Sequence, residues 1–312
     1  MEKRLILAIV LSFLVLALWQ MVFMKNKPQP EPQVQTTIPV QAAEQPPPSA
    51  ITEPDAKAPS VAAPLFEEAK AEAEKQVVVE TSLYDAVWSN RGASLRSWKL
   101  KEHLNEQKEG LELVSRRAEE VGRYPFFLDT QDAELDKTAN SGLFVPSVSR
   151  LSLRDGETGE LKFSYSDGNN VKIEKLFVFT GGKYHFDVQI SVWKDARKVE
   201  PRLIWGPGIG DPVITTKRQQ FGGGSGVAVL AADRVYRINE RRYKPEANAF
   251  NFANWAAFED NYMTALFITP PQQGTALLLR EAPNEGIADF YLSVSLPQKV
   301  YIGPKDFDRL RA

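Results

Sequence analysis

Residues 5–24 read LILAIVLSFLVLALWQMVFM, twenty positions without a charge and with only Ser12 and Gln20 polar. A helix rises about 1.5 Å per residue, so this stretch reaches roughly 30 Å, the thickness of a bilayer's hydrocarbon core. No water is available there to satisfy backbone amides, and a helix is the expected form. A cleavable signal has an apolar region of about 7–15 residues and a small-x-small site. This run is longer and closes on Trp19-Gln20-Met21-Val22-Phe23-Met24, which carries no such site, so the expectation is an uncleaved transmembrane anchor. The amino terminus, Lys3 and Arg4 precede it, while Lys25 and Lys27 come after it. That balance tips only slightly toward a cytoplasmic N-terminus and an exported body.

The rest of the chain is polar enough to live in water. Its net charge of -2 over 312 residues, with no basic run, argues against nucleic acid as a partner. The absence of cysteine excludes a disulfide framework, a cysteine nucleophile, thiolate metal ligands and a lipidated N-terminal cysteine. The predicted anchor is therefore the helix itself.

Residues 25–75 form a predicted linker. Ten of the 21 prolines lie between Pro28 and Pro64, among Gln, Ala, Glu and Thr. Such a segment cannot bury enough apolar area to offset its ordering entropy, and coil or polyproline II is expected. Residues 65–75 (LFEEAKAEAEK) are rich in helix formers and predict one short helix leading into the domain.

From Gln76 the pattern changes to short apolar alternations. Tyr184, Phe186, Val188, Ile190 and Val192 recur at period two, with His185, Asp187, Gln189 and Ser191 on the other face, which predicts a half-buried strand. Leu161, Phe163 and Tyr165 alternate likewise, and the turn Asp167-Gly168-Asn169-Asn170 leads to Val171 and Ile173. Residues 150–194 thus predict a four-strand meander. Further strands are expected at 77–87, 94–100, 203–205, 227–230, 235–238, 264–268, 276–279 and 290–296. Many short strands with little helical period predict a large antiparallel β-sandwich over residues 76–297. Gly303-Pro304, with Lys305-Asp306 directly after, is a helix-start signal, and Phe307 and Leu310 share one face, so residues 298–312 predict the opening of a connecting helix.

Candidate chemistry is sparse. His103 and His185 lie far apart in different elements, and the plain reading of each is a solvent-facing or locally bonded histidine. Glu259 and Asp260 are neighbours on a strand and point to opposite faces, which does not make an acid–base pair. Residues 221–226 (FGGGSG) lack the Lys-Ser/Thr ending of a phosphate loop and read as a hairpin tip or bulge. Trp205-Gly206-Pro207-Gly208-Ile209-Gly210 reads as a turn closing a strand. The aromatic-rich segment 255–263 (WAAFEDNYM) reads as core packing. No catalytic, cofactor or metal residue is assigned.

In order along the chain, the apolar span and Pro-rich linker lead to Glu80-Thr81-Ser82-Leu83-Tyr84 and Ser89-Asn90-Arg91-Gly92-Ala93. Then come Leu176-Phe177-Val178-Phe179, Tyr184-His185-Phe186-Asp187-Val188, Trp205-Gly206-Pro207-Gly208, residues 255–268 and Tyr301-Ile302-Gly303-Pro304-Lys305. Together these resemble the N-terminal portion of the YidC family of membrane protein insertases in its Gram-negative form. The resemblance implies a cytoplasmic N-terminus in the cell inner membrane and a periplasmic β-supersandwich of galactose mutarotase-like fold. It also implies support for insertion and folding of inner-membrane proteins, with or without the Sec translocon. The partners it implies are SecDF and SecYEG, nascent inner-membrane proteins and the lipid bilayer. In that family insertion belongs to a core of five further spans, which would come after Ala312. A sugar-binding or mutarotase-like domain is the rival reading.

Overall fold

Val77 and Val79 alternate with Val78 and Glu80, and Tyr84, Ala86 and Trp88 alternate with Asp85 and Val87, and in each set the first-named residues are buried. These period-two runs become strands in the computed structural model of the protein, which describes residues 66–210, 226–239, 243–244, 248–281, 288–295 and 297–306. The predicted strand over 77–87 is broken in two. The Thr81 hydroxyl accepts hydrogen bonds from the amides of Leu83 and Tyr84, both at 3.1 Å. Such a local side-chain acceptor competes with the ladder and turns the chain back on itself. The predicted span at 5–24 lies outside the described residues.

Among the described residues the elements are β1 (Gln76–Glu80), β2 (Tyr84–Ser89), β3 (Ser94–Leu104), β4 (Gly110–Glu112), α1 (Arg117–Val121), β5 (Leu128–Asp129), α2 (Ala133–Ser141), β6 (Val145–Pro146), β7 (Arg150–Ser152) and β8 (Thr158–Ser166). They continue with β9 (Val171–Thr180), β10 (His185–Lys194), β11 (Arg197–Val199), β12 (Arg202–Trp205), β13 (Gly226–Ala231), β14 (Arg234–Asn239), β15 (Ala249–Glu259), β16 (Met263–Ile268), β17 (Gly274–Glu281), β18 (Asp289–Ser295) and β19 (Lys299–Pro304). One sheet has five strands in the order β4-β3-β2-β1-β7. The other has fourteen, along the path β5-β12-β18-β17-β15-β16-β19-β10-β9-β8-β6, with β11 beside β10 and β13–β14 beyond β15. A sheet this wide must curl. Strand β15 carries the corner: residues 255–259 pair with β16 and 249–253 pair with β17. A bulge at Phe252, with φ of 57°, separates the two halves.

The fold is mainly β and antiparallel. It departs from the sequence expectation in five places. The predicted four-strand meander is three long strands, β8 to β10, because β7 leaves to pair in parallel with β1. Two short helices interrupt the β pattern. Helix α2 is capped by Asp132, whose carboxylate accepts from the amides of Glu134 and Leu135. Residues 66–75 are not helical. Gly303 and Pro304 do not open a helix; they close β19, paired with Thr264 and Met263. The remainder of that predicted helix, residues 307–312, lies outside the described residues. The fifth is the hairpin at Thr81.

The core is built from aromatic rings contributed by both sheets. Trp88 of β2 lies 4.4 Å from Phe177 of β9 and 4.8 Å from Phe126. Trp98 of β3 stacks on Tyr84 at 3.9 Å and reaches Phe186 of β10 at 5.6 Å. Phe126 also meets Trp205 and Phe267, so one loop residue joins the β12 and β16 wings. Ring pairs of this geometry add about 0.5–1.5 kcal/mol beyond the area they bury.

One charge sits inside this core. Lys175 is in phase with Ile173, Phe177 and Phe179 on the inward face of β9 and is 0% exposed. Its Nζ donates to the carbonyls of Gly92 at 2.6 Å, Phe126 at 2.8 Å and Ala93 at 3.4 Å, with the Phe144 ring 5.7 Å away. Three acceptors match the three N–H bonds of an ammonium. Gly92, at φ 65°, is pressed so close to the end of α2 that a Cβ would lie 2.4 Å from the Asn140 carbonyl oxygen. Phe126 is held at φ 71°, a left-handed conformation that costs an ordinary residue about 1 kcal/mol.

Residues 66–75, read from sequence as linker and helix, run as an extended strap bonded to the folded body. Ala69 exchanges backbone hydrogen bonds with Ser166 of β8, and the Ala71 amide donates to the Leu143 carbonyl. Asn90, fully buried, fixes the far end. Its Nδ2 donates to the carbonyls of Ala73 (3.1 Å) and Phe144 (2.9 Å), and its Oδ1 accepts from the Lys75 amide (2.7 Å).

Both buried polar groups can be probed. Asn90→Ala leaves three backbone groups without their partner. It should cost about 2–4 kcal/mol in urea unfolding and speed tryptic cleavage after Lys70 and Lys75. Unchanged stability and cleavage would show that the clamp is dispensable. Burial pushes Lys175 down from 10.5 to about 7. Below that pH both folded and unfolded states are protonated; above it the folded state sheds a proton that the unfolded state keeps. Stability should therefore rise from about pH 7 to pH 10 by up to about 1.4 kcal/mol per pH unit, relative to Lys175→Met. Parallel pH profiles for the two proteins would refute the assignment.

Candidate functional site

An open cleft of about 1640 Å³ is bounded by the β3–β4 hairpin on one side and by α1 and α2 on the other. Its walls are set by ion pairs anchored in the large sheet. Arg117 of α1 donates from Nε and Nη2 to the Asp289 carboxylate of β18 at 3.0–3.2 Å, and Asp289 is 5% exposed. A bidentate pair with a buried acid fixes geometry in a way that a loose surface pair does not. Arg123 lies over the Tyr291 ring at 4.3 Å and pairs with Glu281. Burial, then the charges of Asp289 and Glu281, push the Tyr291 hydroxyl up to about 12. On the same wall α2 is moored by Asn140, whose side chain accepts from and donates to the backbone of Leu128 at 2.7 and 2.8 Å.

The floor is charged and internally compensated. Arg96 stacks its guanidinium 3.6 Å from the centre of the Tyr124 ring. Glu74, from the strap, accepts from Ser89 Oγ at 2.6 Å, Arg91 Nε at 2.8 Å and Arg96 Nη2 at 3.4 Å. The Ser89 hydroxyl and Arg91 hold the Glu74 carboxyl below its usual range. Glu112 is committed to structure: Oε1 accepts from the amides of Trp98 and Val114 at 2.7 and 2.9 Å. Asp136 likewise accepts from the amide and hydroxyl of Thr130. The cleft therefore presents arginines, aromatic edges and pinned carboxylates, an arrangement suited to holding a polar chain.

The residues singled out from sequence lie elsewhere. His103 is on β3 in the five-stranded sheet, and His185 is half-buried on β10 in the larger one. Burial and the charges of Lys299 and Lys183 push His185 down, against Asp187. Glu259 pairs with Lys305 at 3.1 Å and Arg237 at 3.4 Å. Asp260 Oδ1 accepts from the amides of Tyr262 and Met263, making the β15–β16 turn. Of residues 221–226 only Gly226 is described, and it opens β13. Trp205 is buried and its Nε1 donates to the Gly208 carbonyl, closing the turn read there. Ala256, Phe258 and Met263 are in the core, while Tyr262 stands at the hairpin tip, 58% exposed. Among the described residues no three acidic, histidine or cysteine side chains gather as a metal site.

Sequence reading missed Lys175, Asn90 and the group formed by Glu74, Arg91 and Arg96. For Lys175 a signal existed: it stands in phase with Ile173, Phe177 and Phe179. Glu74 was hidden inside a segment whose composition suggested a helix.

The profile of the YidC periplasmic domain family matches residues 76–312. The chain is 28% identical over 339 residues to the membrane protein insertase YidC of Syntrophus aciditrophicus, covering 100% of this chain and 60% of that protein. The YidC of Geobacter metallireducens is 25% identical over 331 residues, covering 100% and 59%. The chain thus spans about 60% of the length of these curated relatives. Among solved structures it is loosely similar to a galactose mutarotase-like protein from Lactobacillus casei, with TM-score 0.45, 11% identity and coverage of 73% of this chain and 99% of that one. A putative aldose 1-epimerase from Escherichia coli K12 gives TM-score 0.42, 10% identity and coverage of 74% and 98%. With the family profile covering all of the chain beyond the strap, the chain belongs to the YidC family of membrane protein insertases, and residues 76–312 are its periplasmic domain.

Proposed function

We propose that this chain is the membrane-anchored, periplasmic accessory part of an insertase, supporting the insertion and folding of inner-membrane proteins with or without the Sec translocon. The observation that carries the reading is the family match over residues 76–312, joined to the apolar run at 5–24. In this reading the run is an anchor in the inner membrane with a cytoplasmic N-terminus. Residues 25–65 tether the folded body, and its surfaces meet SecDF, SecYEG or an emerging client chain beside the bilayer. The role is not enzymatic. The domain positions and receives polypeptide, which fits a cleft whose carboxylates at 112 and 136 are committed to backbone amides.

The division of labour is testable in a full-length insertase carrying this domain. Deleting most of residues 76–295 should leave insertion of a single-span client into proteoliposomes within about twofold of the parent, because membrane passage is the work of spans beyond this domain. Disrupting residues 303–310, which join the domain to those spans, should reduce insertion at least about tenfold. Equal loss from both changes would refute the split.

A further inference from the structure

On the cleft floor, a carboxylate from the strap is seated between two arginines of the folded body. We propose that Arg91, Arg96 and Ser89 form a receptor for the carboxylate of an acidic polypeptide segment, occupied in this state by the chain's own Glu74. The proposal holds or falls independently of the insertion role.

Three features separate this group from an ordinary surface ion pair. First, the cations are preorganised. Arg96 is stacked on Tyr124, with its side chain 19% exposed, and Arg91 is fixed by a donation from Nη1 to the Ser141 carbonyl at 3.3 Å. Guanidinium groups set in this way keep their orientation when the anion leaves, so a second carboxylate meets a formed site. Second, the Glu74 carboxylate is bound as a ligand would be, with three donors from three residues, while it remains 42% exposed within the large cleft. Exposed pairs of this type contribute little net stability, so an incoming carboxylate displaces Glu74 at small cost. Third, the occupant is on a separate element. The strap is bonded to the body at Ala69, Ala71, Ala73 and Lys75, through partners other than the two arginine side chains. Lifting of the strap would withdraw Glu74 and leave two positive charges facing the cleft. The site is thus self-occupied when the strap is seated and open when it is lifted, and the ligand it fits is a run of Asp or Glu in an extended chain.

Binding of fluorescent hexaglutamate to the full 312-residue chain in detergent, with hexaglutamine as the neutral control, tests this. Glu74→Gln preserves shape and removes the competing charge. It should tighten hexaglutamate binding roughly fivefold, the order of one exposed ion pair, and leave hexaglutamine unchanged. Adding Arg91→Gln and Arg96→Gln should return affinity to the wild-type level or below. Equal affinity in wild type and Glu74→Gln, or a gain that survives loss of both arginines, overturns the proposal. Tryptic cleavage after Lys70 and Lys75 reports whether the strap stays seated. If Glu74→Gln releases it, Glu74→Asp, which shortens the reach to Arg91 and Arg96 and spares every receptor donor, must still tighten hexaglutamate; no change there overturns the proposal.

Discussion

The two sheets are held together at one point by a buried lysine. Lys175 projects from β9 of the large sheet and bonds the Gly92 carbonyl in the β2–β3 turn and the Phe126 carbonyl in the loop before β5. Those two backbones are constrained, Gly92 against the end of α2 and Phe126 at φ 71°. An apolar side chain at 175 could pack the space but has no N–H to offer the carbonyls. A paired carboxylate would satisfy the charge but leave the carbonyls alone. The Lys175 amine fills the space and bonds the carbonyls, with the Phe144 ring 5.7 Å away. Because Phe126 also meets Trp205 and Phe267, the position of the β12 and β16 wings depends on the same contact.

That junction also sets the cleft. The β2–β3 turn that accepts from Lys175 leads directly into β3, which carries Arg96 at a bulge, and the Phe126 loop sits between α1 and β5, so both cleft walls start from groups bonded to one lysine. The strap then closes the arrangement through Asn90 and Glu74. Structure and candidate recognition surface are therefore one network: a change that loosens the sheet junction moves the arginines, and a change at the strap alters which carboxylate they face.

Much of the sheet was legible from period-two alternation, and the three long strands β8 to β10 are where that alternation is cleanest. The departures have local causes. Val77 to Val87 reads as one apolar run because Thr81 is itself a good strand residue; only its side-chain acceptor role makes it a turn. Residues 65–75 have the composition of a helix, but each backbone group they commit to another segment is one withheld from a helical ladder, as Ala69 and Ala71 show. Pro304 is tolerated in β19 because its missing amide falls at the strand's last position. The cap at Asp132, with Glu134 and Asp136 just beyond it, was a readable helix start that strand-dominated surroundings obscured. The Glu74, Arg91 and Arg96 group could not have been read from spacing, since it is assembled from three segments by the fold.

Strand β19 is paired along its length with β16 and, over residues 299–301, with β10. It runs toward the Thr180 end of the large sheet, while the strap joins at the Ser166 end. The two attachment points of the folded body therefore stand at opposite ends of strands that extend roughly 30 Å. A pull between them acts along the strand axes and loads the β19 hydrogen bonds in parallel, perpendicular to the force, rather than opening them one after another. The domain is built as a stiff link in tension, able to pass a load from the strap at one end to the exit of β19 at the other without coming apart at its central strand.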